Sequence, residues 1–238
     1  DHPGRGRPFH SLARLHDHMT DFAFLTDVVL PADSRIDYTP YDSELQASGL
    51  PAPRSVFLQR LSSAWISAYR KQSGRVINPT EMWANDFALL VDLEGADHGD
   101  GRGPQPPGVY MRTFAAYGLS KPSTAPRVKE DRRLRGWMEK TDQVAGSERD
   151  KGHFIAHSIG GAVIAGEANV FLQRRDLNRG WSEPGKVFRA LENSAQRHAG
   201  SFYFHRAIYL EESTTPSYLE VGLCIKGQRL QVAAFDNR

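Results

Sequence analysis

The amino-acid sequence predicts a mixed α+β fold with a largely antiparallel sheet and a partly helical N-terminal part. Three β-rich segments, at 201–210, 218–227 and 230–235, follow one another closely near the C-terminus. Strand-length segments with short turns between them are typical of neighbouring antiparallel strands. A segment in the first third of the chain instead has the apolar spacing of an amphipathic helix.

The helix is predicted by apolar residues at i, i+4, i+7, i+8 and i+11, starting at Phe57, and Gly74 is the predicted stop. The segment 82–95 contains an apolar run of strand length, with a helix as the alternative. The segment 108–119 is predicted to be a strand, because β-forming residues dominate it and a glycine lies near its end.

Composition indicates a globular protein without disulfides. Of 238 residues, 39% are hydrophobic and 24% are charged, which is close to the average for globular proteins and excludes a disordered chain. No apolar run reaches the length of a membrane-spanning helix, and no signal-peptide pattern is recognised. The single cysteine, Cys224, favours an intracellular location, but the compartment is not fixed by the sequence, and secretion or delivery as a toxin are the alternatives.

The glycine- and proline-rich segment 95–108 predicts a linker or loop, and we place a provisional boundary at residue 104. Residues 1–104 contain 10 Lys and Arg against 14 Asp and Glu, a net charge of −4. Residues 105–238 contain 20 against 14, a net charge of +6. The sequence therefore predicts an acidic N-terminal accessory part, and a basic C-terminal domain with an anionic partner.

Four polar elements follow one another between residues 150 and 192. They are Asp150-Lys-Gly-His153, Asn169-Val-Phe-Leu-Gln173, Leu177-Asn178-Arg179-Gly180-Trp181 and Glu192. In order and spacing they resemble the DNA/RNA non-specific endonucleases of the ββα-metal, or His-Me finger, superfamily. The resemblance implies a ββα-metal nuclease domain at 105–238. In such a finger the histidine ends one strand, the first asparagine and the glutamine lie on or after the next strand, and the second asparagine starts a helix.

The resemblance implies a Mg²⁺-dependent endonuclease that cuts DNA, RNA or both with little sequence preference. Hydrolysis of a phosphodiester needs a deprotonated water, and histidine accepts a proton near neutral pH, so His153 is the predicted general base. Mg²⁺, with Mn²⁺ as the alternative, prefers oxygen ligands and keeps most of its waters. The amide oxygen of Asn178 is therefore the predicted protein ligand of the metal.

Glu192 is the second predicted metal residue, acting on the water shell of the ion. It lies 14 positions after Asn178, about 21 Å along an unbroken helix. We therefore predict that Pro184 and Gly185 interrupt the helix between Asn178 and Glu192, so that the helix carrying Glu192 folds back. Glu183 is the alternative candidate for the water shell of the metal.

Other predicted site residues surround these. Asn169 is predicted to orient the catalytic loop, with a strand-end cap as the alternative, and Gln173 to contact metal-bound water or substrate. Asp150 is predicted to support the loop. Lys151 stands where the family has arginine, which replaces a two-point contact by a point charge. The predicted substrate-binding residues are Lys151, Arg174, Arg179 and Arg189. Arg175 is a further candidate for phosphate contact.

Two other functions compete with the nuclease. The segment AHSIGGA at 156–162 approximates the nucleophile elbow of serine hydrolases, with Ser158 as nucleophile, His198 or His205 as base and Asp176 as orienter. Against it, alanine replaces the first glycine of the elbow. The second alternative is a degenerate nuclease fold that only binds nucleic acid, which the lysine at position 151 suggests.

The expected partner is a DNA or RNA substrate, and no membrane partner is expected. Nothing in the sequence decides the oligomeric state or the presence of an inhibitor protein. A zinc site on His153 and His157 is also conceivable from their spacing of four, but the β-forming residues between them oppose a helix.

Overall fold

The computed structural model describes residues 24–74, 77–92, 112–123, 148–161, 168–211 and 213–238. The fold is α+β, as predicted. The strands are β1 (Thr80–Ala84), β2 (Phe87–Asp92), β3 (Arg112–Leu119), β4 (Arg149–His153), β5 (Val170–Arg174), β6 (Phe202–Ile208), β7 (Tyr218–Cys224) and β8 (Gln231–Asp236). The α-helices are α1 (Thr39–Ser48), α2 (Val56–Ser73), α3 (Arg175–Arg179) and α4 (Glu183–Arg197).

The centre of the fold is a six-stranded sheet in the order β1-β2-β3-β6-β7-β8, and every neighbouring pair is antiparallel. The predicted strands at 108–119, 201–210, 218–227 and 230–235 are confirmed as β3, β6, β7 and β8. The segment 82–95 differs from a single strand, because a turn with Asn85 at φ 56° separates β1 from β2. This turn makes a hairpin.

The predicted amphipathic helix is confirmed as α2. The side chain of Ser55 caps its first turn by accepting a hydrogen bond from the Leu58 amide, and Gly74 ends it in the left-handed conformation at φ 65°. Its apolar stripe is buried against β6, where the Trp65 ring lies 5.1 Å from that of Phe204. We call α1 and α2 the helical layer.

On the other side of the sheet, β4 and β5 form a separate antiparallel pair that leads directly into α3 and then α4. We call these four elements the motif layer. The α4 residue Phe188 packs edge-to-face on His205 of β6 and on Phe235 of β8. Successive side chains of a strand point to opposite faces. Phe202 and Phe204 of β6 therefore face the helical layer, and His205 faces the motif layer.

The predicted interruption at Pro184 and Gly185 is wrong in position. The chain bends earlier, where Gly180 adopts φ 70° and ends α3. Pro184 and Gly185 instead lie in the first turn of α4, where proline is tolerated because the first amides of a helix need no partner within it. Asn178 and Glu192 are nevertheless on two different helices, as the prediction required.

The central sheet continues across the provisional boundary at residue 104. Strand β2 lies before that residue and β3 lies after it, and the two are hydrogen-bonded neighbours. The predicted linker itself, at 95–108, is outside the described residues. An accessory role for residues 1–104 stays a prediction. Among the described residues, no helix is both long and apolar enough to cross a membrane.

A buried polar network ties the helical layer to the sheet. Arg206 on β6 pairs with Glu220 on β7, and both side chains are buried. The hydroxyl of Tyr38 donates to Glu220 at 2.5 Å, and it accepts a hydrogen bond from the Trp65 indole at 3.1 Å. Arg206 also donates to the carbonyl oxygen of Ser34 at 3.0 Å. The segment that precedes α1 is therefore fixed to the middle of the sheet.

Candidate functional site

His153 is the last residue of β4, directly opposite Val170 on β5. The chain beyond it is held by the buried side chain of Asn169, whose oxygen accepts from the Ile155 amide and whose nitrogen donates to the Ile155 carbonyl, both at 2.9 Å. The Phe154 amide donates to the Asn169 carbonyl at 3.0 Å. The side chain of Asn169 therefore fixes the backbone two residues after His153.

The segment after this contact makes a tight turn. His157–Ile159 form one turn of 3₁₀-helix, followed by Gly160 at φ 103°. A Cβ atom on the next residue, Gly161, would collide with the carbonyl oxygen of Ile155. This close approach requires glycine and explains the Gly-Gly pair. The same pair resembled a serine-hydrolase elbow in the sequence.

Asp150 is the centre of a cluster that joins β4 to α3. Its carboxylate accepts from Arg179 Nε at 2.6 Å, from Arg175 Nε at 2.9 Å and from Asn178 Nδ2 at 3.4 Å. Partial burial raises the pKa of Asp150, but the hydrogen bonds from these three side chains outweigh burial and lower the pKa below its usual value. Asp150 is therefore held in its ionised form.

This cluster determines the orientation of the Asn178 amide. A carboxylate only accepts hydrogen bonds, so the NH₂ group of Asn178 faces Asp150 and the amide oxygen is turned away from it. Asn178 is the fourth of five residues in α3. It therefore lies near the end of a short helix, whereas the resemblance implied that it starts one.

Glu192 lies in the middle of α4 and is buried. Burial raises its pKa, while the ion pair with Arg189, at 2.7 Å, opposes that shift. A Cβ atom on Gly180 would lie 2.9 Å from the Arg189 side chain, so this pair packs against the end of α3. The rival, Glu183, is exposed at the start of α4 and pairs with Lys186.

The predicted substrate-binding arginines each hold a carboxylate. Arg174 makes a two-point contact with Asp176, with distances of 3.0 and 2.8 Å, and Arg179 and Arg189 are bound to Asp150 and Glu192. Lys151 is partly exposed on β4. The structure therefore gathers these cations around the β4–β5 pair and helices α3 and α4.

Gln173 is placed differently from the prediction of a contact with substrate or metal-bound water. Its side chain is completely buried on β5, facing Gly152 of β4, and neither polar atom of its amide has a hydrogen-bond partner among the described residues. A Cβ atom on Gly152 would lie 2.5 Å from Gln173 Oε1. Gln173 thus belongs to the interior of the motif layer.

The residues of the serine-hydrolase alternative are not assembled. Ser158 lies within the 3₁₀ turn, and Asp176 is bound to Arg174. His205 is fully buried, and its Nδ1–H donates to the Phe154 carbonyl at 3.0 Å. Burial lowers the pKa of His205 to about 4. Within the described part of the chain, no hydrogen bond joins any two of Ser158, Asp176, His198 and His205.

Sequence reasoning missed the joint contact of Arg175 and Arg179 with Asp150. These arginines are four residues apart, a spacing that places two side chains on the same face of a helix. Asp150, three positions before the predicted base, could therefore have been predicted to form ion pairs with both arginines. The spacing of the two arginines is visible in the sequence, but their contact with Asp150 depends on the tertiary fold that places β4 next to α3.

The donor set suits a sparsely held Mg²⁺ ion. Asn178 offers one amide oxygen, which is the ligand type that Mg²⁺ prefers, while Glu192 is engaged by Arg189. Over the ranges that the structure describes, no three His, Cys, Asp or Glu side chains form a metal-holding group. A hydrated ion on one amide ligand needs no such group. No protein-family model matches this chain, and no curated protein matches it significantly.

Proposed function

We propose that this protein is a metal-dependent endonuclease that hydrolyses phosphodiester bonds of DNA, RNA or both. The observation that carries the proposal is the position of Asp150. It lies three residues before His153 on β4, and it binds the amide of Asn178 on α3. One ionised side chain therefore binds the predicted metal ligand from the same strand that carries the predicted base.

In this proposal His153 accepts the proton of the attacking water, because a neutral imidazole is a suitable base near neutral pH. Asn169 limits the movement of the loop beyond His153 through its two bonds to Ile155. Rigid support of this kind is what positions a base accurately. Asn169 is thus a positioning residue that acts through the backbone.

Asn178 would hold the Mg²⁺ ion through its amide oxygen. When bound, the ion supplies neutralisation of the negative charge that gathers on the phosphate and the leaving oxygen. Asp150 acts on Asn178 by binding its NH₂ group and so presenting its oxygen. Glu192 stays a candidate for the water shell of the metal. To bind a metal-bound water, its carboxylate would first have to release Arg189.

The arginines around the site suit an anionic substrate. The side chains of Arg174, Arg179 and Arg189 are between 36% and 47% exposed, so part of each side chain faces water. The carboxylates of Asp150 and Glu192 are only 14% and 7% exposed, so leaving them without an arginine would be costly. A phosphate can instead bind the exposed side of each guanidinium while the ion pair stays intact. We propose these arginines as contacts to the phosphate backbone.

Digestion of plasmid DNA and of RNA, each with Mg²⁺ and with excess EDTA, tests the proposal. Cleavage should require the metal, and Asn178→Ala should slow it by about 100-fold or more, because several kcal/mol of charge stabilisation depend on the ion. Ser158→Ala is the matched control and should cleave at the wild-type rate.

Three outcomes contradict the proposal. Ester hydrolysis that survives EDTA and disappears in Ser158→Ala would favour the serine hydrolase. Salt-sensitive binding without cleavage in several divalent metals would favour a protein that only binds nucleic acid. Full activity in Asn178→Ala would remove the assigned metal ligand.

A further inference from the structure

Trp181 is an exposed aromatic side chain next to the candidate site. It follows Gly180 directly, three residues after Asn178, and its side chain is 65% exposed. Within the described ranges, Phe24 is the one other exposed aromatic residue. The backbone amide of Trp181 donates to the Asp176 carbonyl at 2.9 Å, so the main chain at this exposed ring is fixed.

Helix packing does not explain the ring. Ser182 is the N-cap of α4, so Trp181 is at the position before the cap, where an apolar side chain commonly packs on the residue four places after the cap. That residue is Lys186, which pairs with Glu183 at the surface. Within the part of the chain that the structure describes, the usual apolar contact at a helix start is therefore missing.

One face of the ring is supported by a cation. The guanidinium carbon of Arg179 lies 4.9 Å from the ring centroid of Trp181, which is a cation–π distance. Arg179 is itself held by Asp150 through bonds of 2.6 and 3.2 Å, and Asp150 also contacts Asn178. The indole is thus connected through two side chains to the proposed metal ligand.

We propose that Trp181 stacks on a nucleobase beside the scissile phosphate and makes the protein prefer single-stranded DNA or RNA. The proposal rests on the nuclease function proposed above. In a duplex both faces of a base are covered by neighbouring bases, so an aromatic side chain stacks only on a base that has left the helix. Single strands offer such bases at little cost.

The same contact fits a nuclease with little sequence preference. Every base has a π-face, so stacking on an aromatic side chain tolerates all four bases. The arginines near the site contact a backbone that is common to all sequences. Trp181 would therefore select the strandedness of the substrate and leave its sequence unselected.

The test compares Trp181→Ala with wild type on a short single-stranded oligonucleotide and on a hairpin duplex of the same sequence. Stacking is worth enough that kcat/KM on the single strand should fall about 5-fold to 100-fold, mainly through KM. The duplex rate should change by less than about twofold, and Trp181→Phe should recover most of the loss. Val56→Ala removes a similarly exposed apolar side chain from the helical layer, and should change neither rate.

Equal losses on both substrates, or no loss on the single strand, would overturn the proposal. If wild type cleaves neither substrate, the proposed function fails, and binding then tests the stacking separately. Fluorescence anisotropy in EDTA should show that Trp181→Ala weakens binding of the labelled single strand and leaves binding of an abasic strand unchanged. Equal weakening on the abasic strand would refute a contact with the base.

Discussion

The two faces of strand β6 bury different kinds of polar side chain. Towards the helical layer, Arg206 pairs with Glu220, and the hydroxyl of Tyr38 joins them. Towards the motif layer, the hydroxyl of Tyr203 and the Nε2 atom of His205 are buried, and neither has a hydrogen-bond partner among the described residues. The face towards the helical layer therefore buries a paired charge network, although Glu220 Oε1 and Ser34 Oγ also lack a hydrogen-bond partner among the described residues. The face towards the motif layer buries neutral side chains, each with one polar atom that lacks such a partner there.

This difference gives the two faces different expected contributions to stability. A buried polar atom without a partner costs free energy, so a core selected for stability alone avoids it. Among the described residues, Tyr203, His205 and Gln173 retain such atoms on the side of the sheet that carries the candidate site. Gln72 and Glu220 retain them on the helical side, so the two sides differ in the charge of their buried groups and not in the presence of unpaired atoms. We expect that breaking the network of Arg206, Glu220 and Tyr38 costs more stability than removing a neutral polar group of the motif layer.

The largest expected effect concerns His205 and pH. Burial lowers its pKa from 6.5 to about 4, so between these pH values only the unfolded state binds the proton. The free energy of unfolding is then fully retained above pH 6.5 and falls by about 3 kcal/mol as the pH drops to 4.

Urea unfolding of wild type and His205→Gln at pH 7 and at pH 4 measures this contribution. The other titrating groups are common to both proteins, so the wild type should lose about 3 kcal/mol more than the variant on acidification. Equal losses would show that His205 is accessible to protons in the folded state, and would remove one contrast between the two faces.

A smaller effect is expected from a matched pair of tyrosines. Tyr38→Phe removes a hydroxyl that binds Glu220 and Trp65, and should lower the free energy of unfolding by about 1–3 kcal/mol. Tyr203→Phe removes a hydroxyl that has no hydrogen-bond partner among the described residues, and should change stability by less than about 0.5 kcal/mol or increase it. Chemical denaturation of both variants compares the two faces directly. Similar costs for both substitutions would mean that the Tyr203 hydroxyl is paired in solution.

Elements with a strong local pattern could be predicted from the sequence. The helix at α2 and the strands β3, β6, β7 and β8 follow from periodicity and composition, and Gly74 ends α2 because glycine adopts the left-handed conformation easily. The sequence predicts the break between α3 and α4 at Pro184 and Gly185, whereas the structure has it at Gly180. Proline and glycine occur both at helix breaks and in the first turn of a helix. Local sequence does not distinguish these two uses at Pro184.

The candidate site could be predicted in its residue types but not in its contacts. The polar elements point to His153, Asn169 and Asn178. In the structure, the side chain of Asn169 bonds to the backbone of Ile155, and that of Asn178 bonds to Asp150. The burial of Gln173 and the pairing of Glu192 depend on which face of β5 and of α4 meets the sheet. That orientation arises from tertiary packing, so no short motif encodes it.

The rate of Mg²⁺-dependent plasmid cleavage by His153→Ala tests the central claim most directly. It should be measured beside wild type at a temperature where unfolding experiments show both proteins to be folded. Loss of the general base predicts a kcat that is lower by about 10²- to 10⁴-fold. A His153→Ala protein that cleaves plasmid as fast as wild type would contradict the assignment of the base, and with it the proposed site.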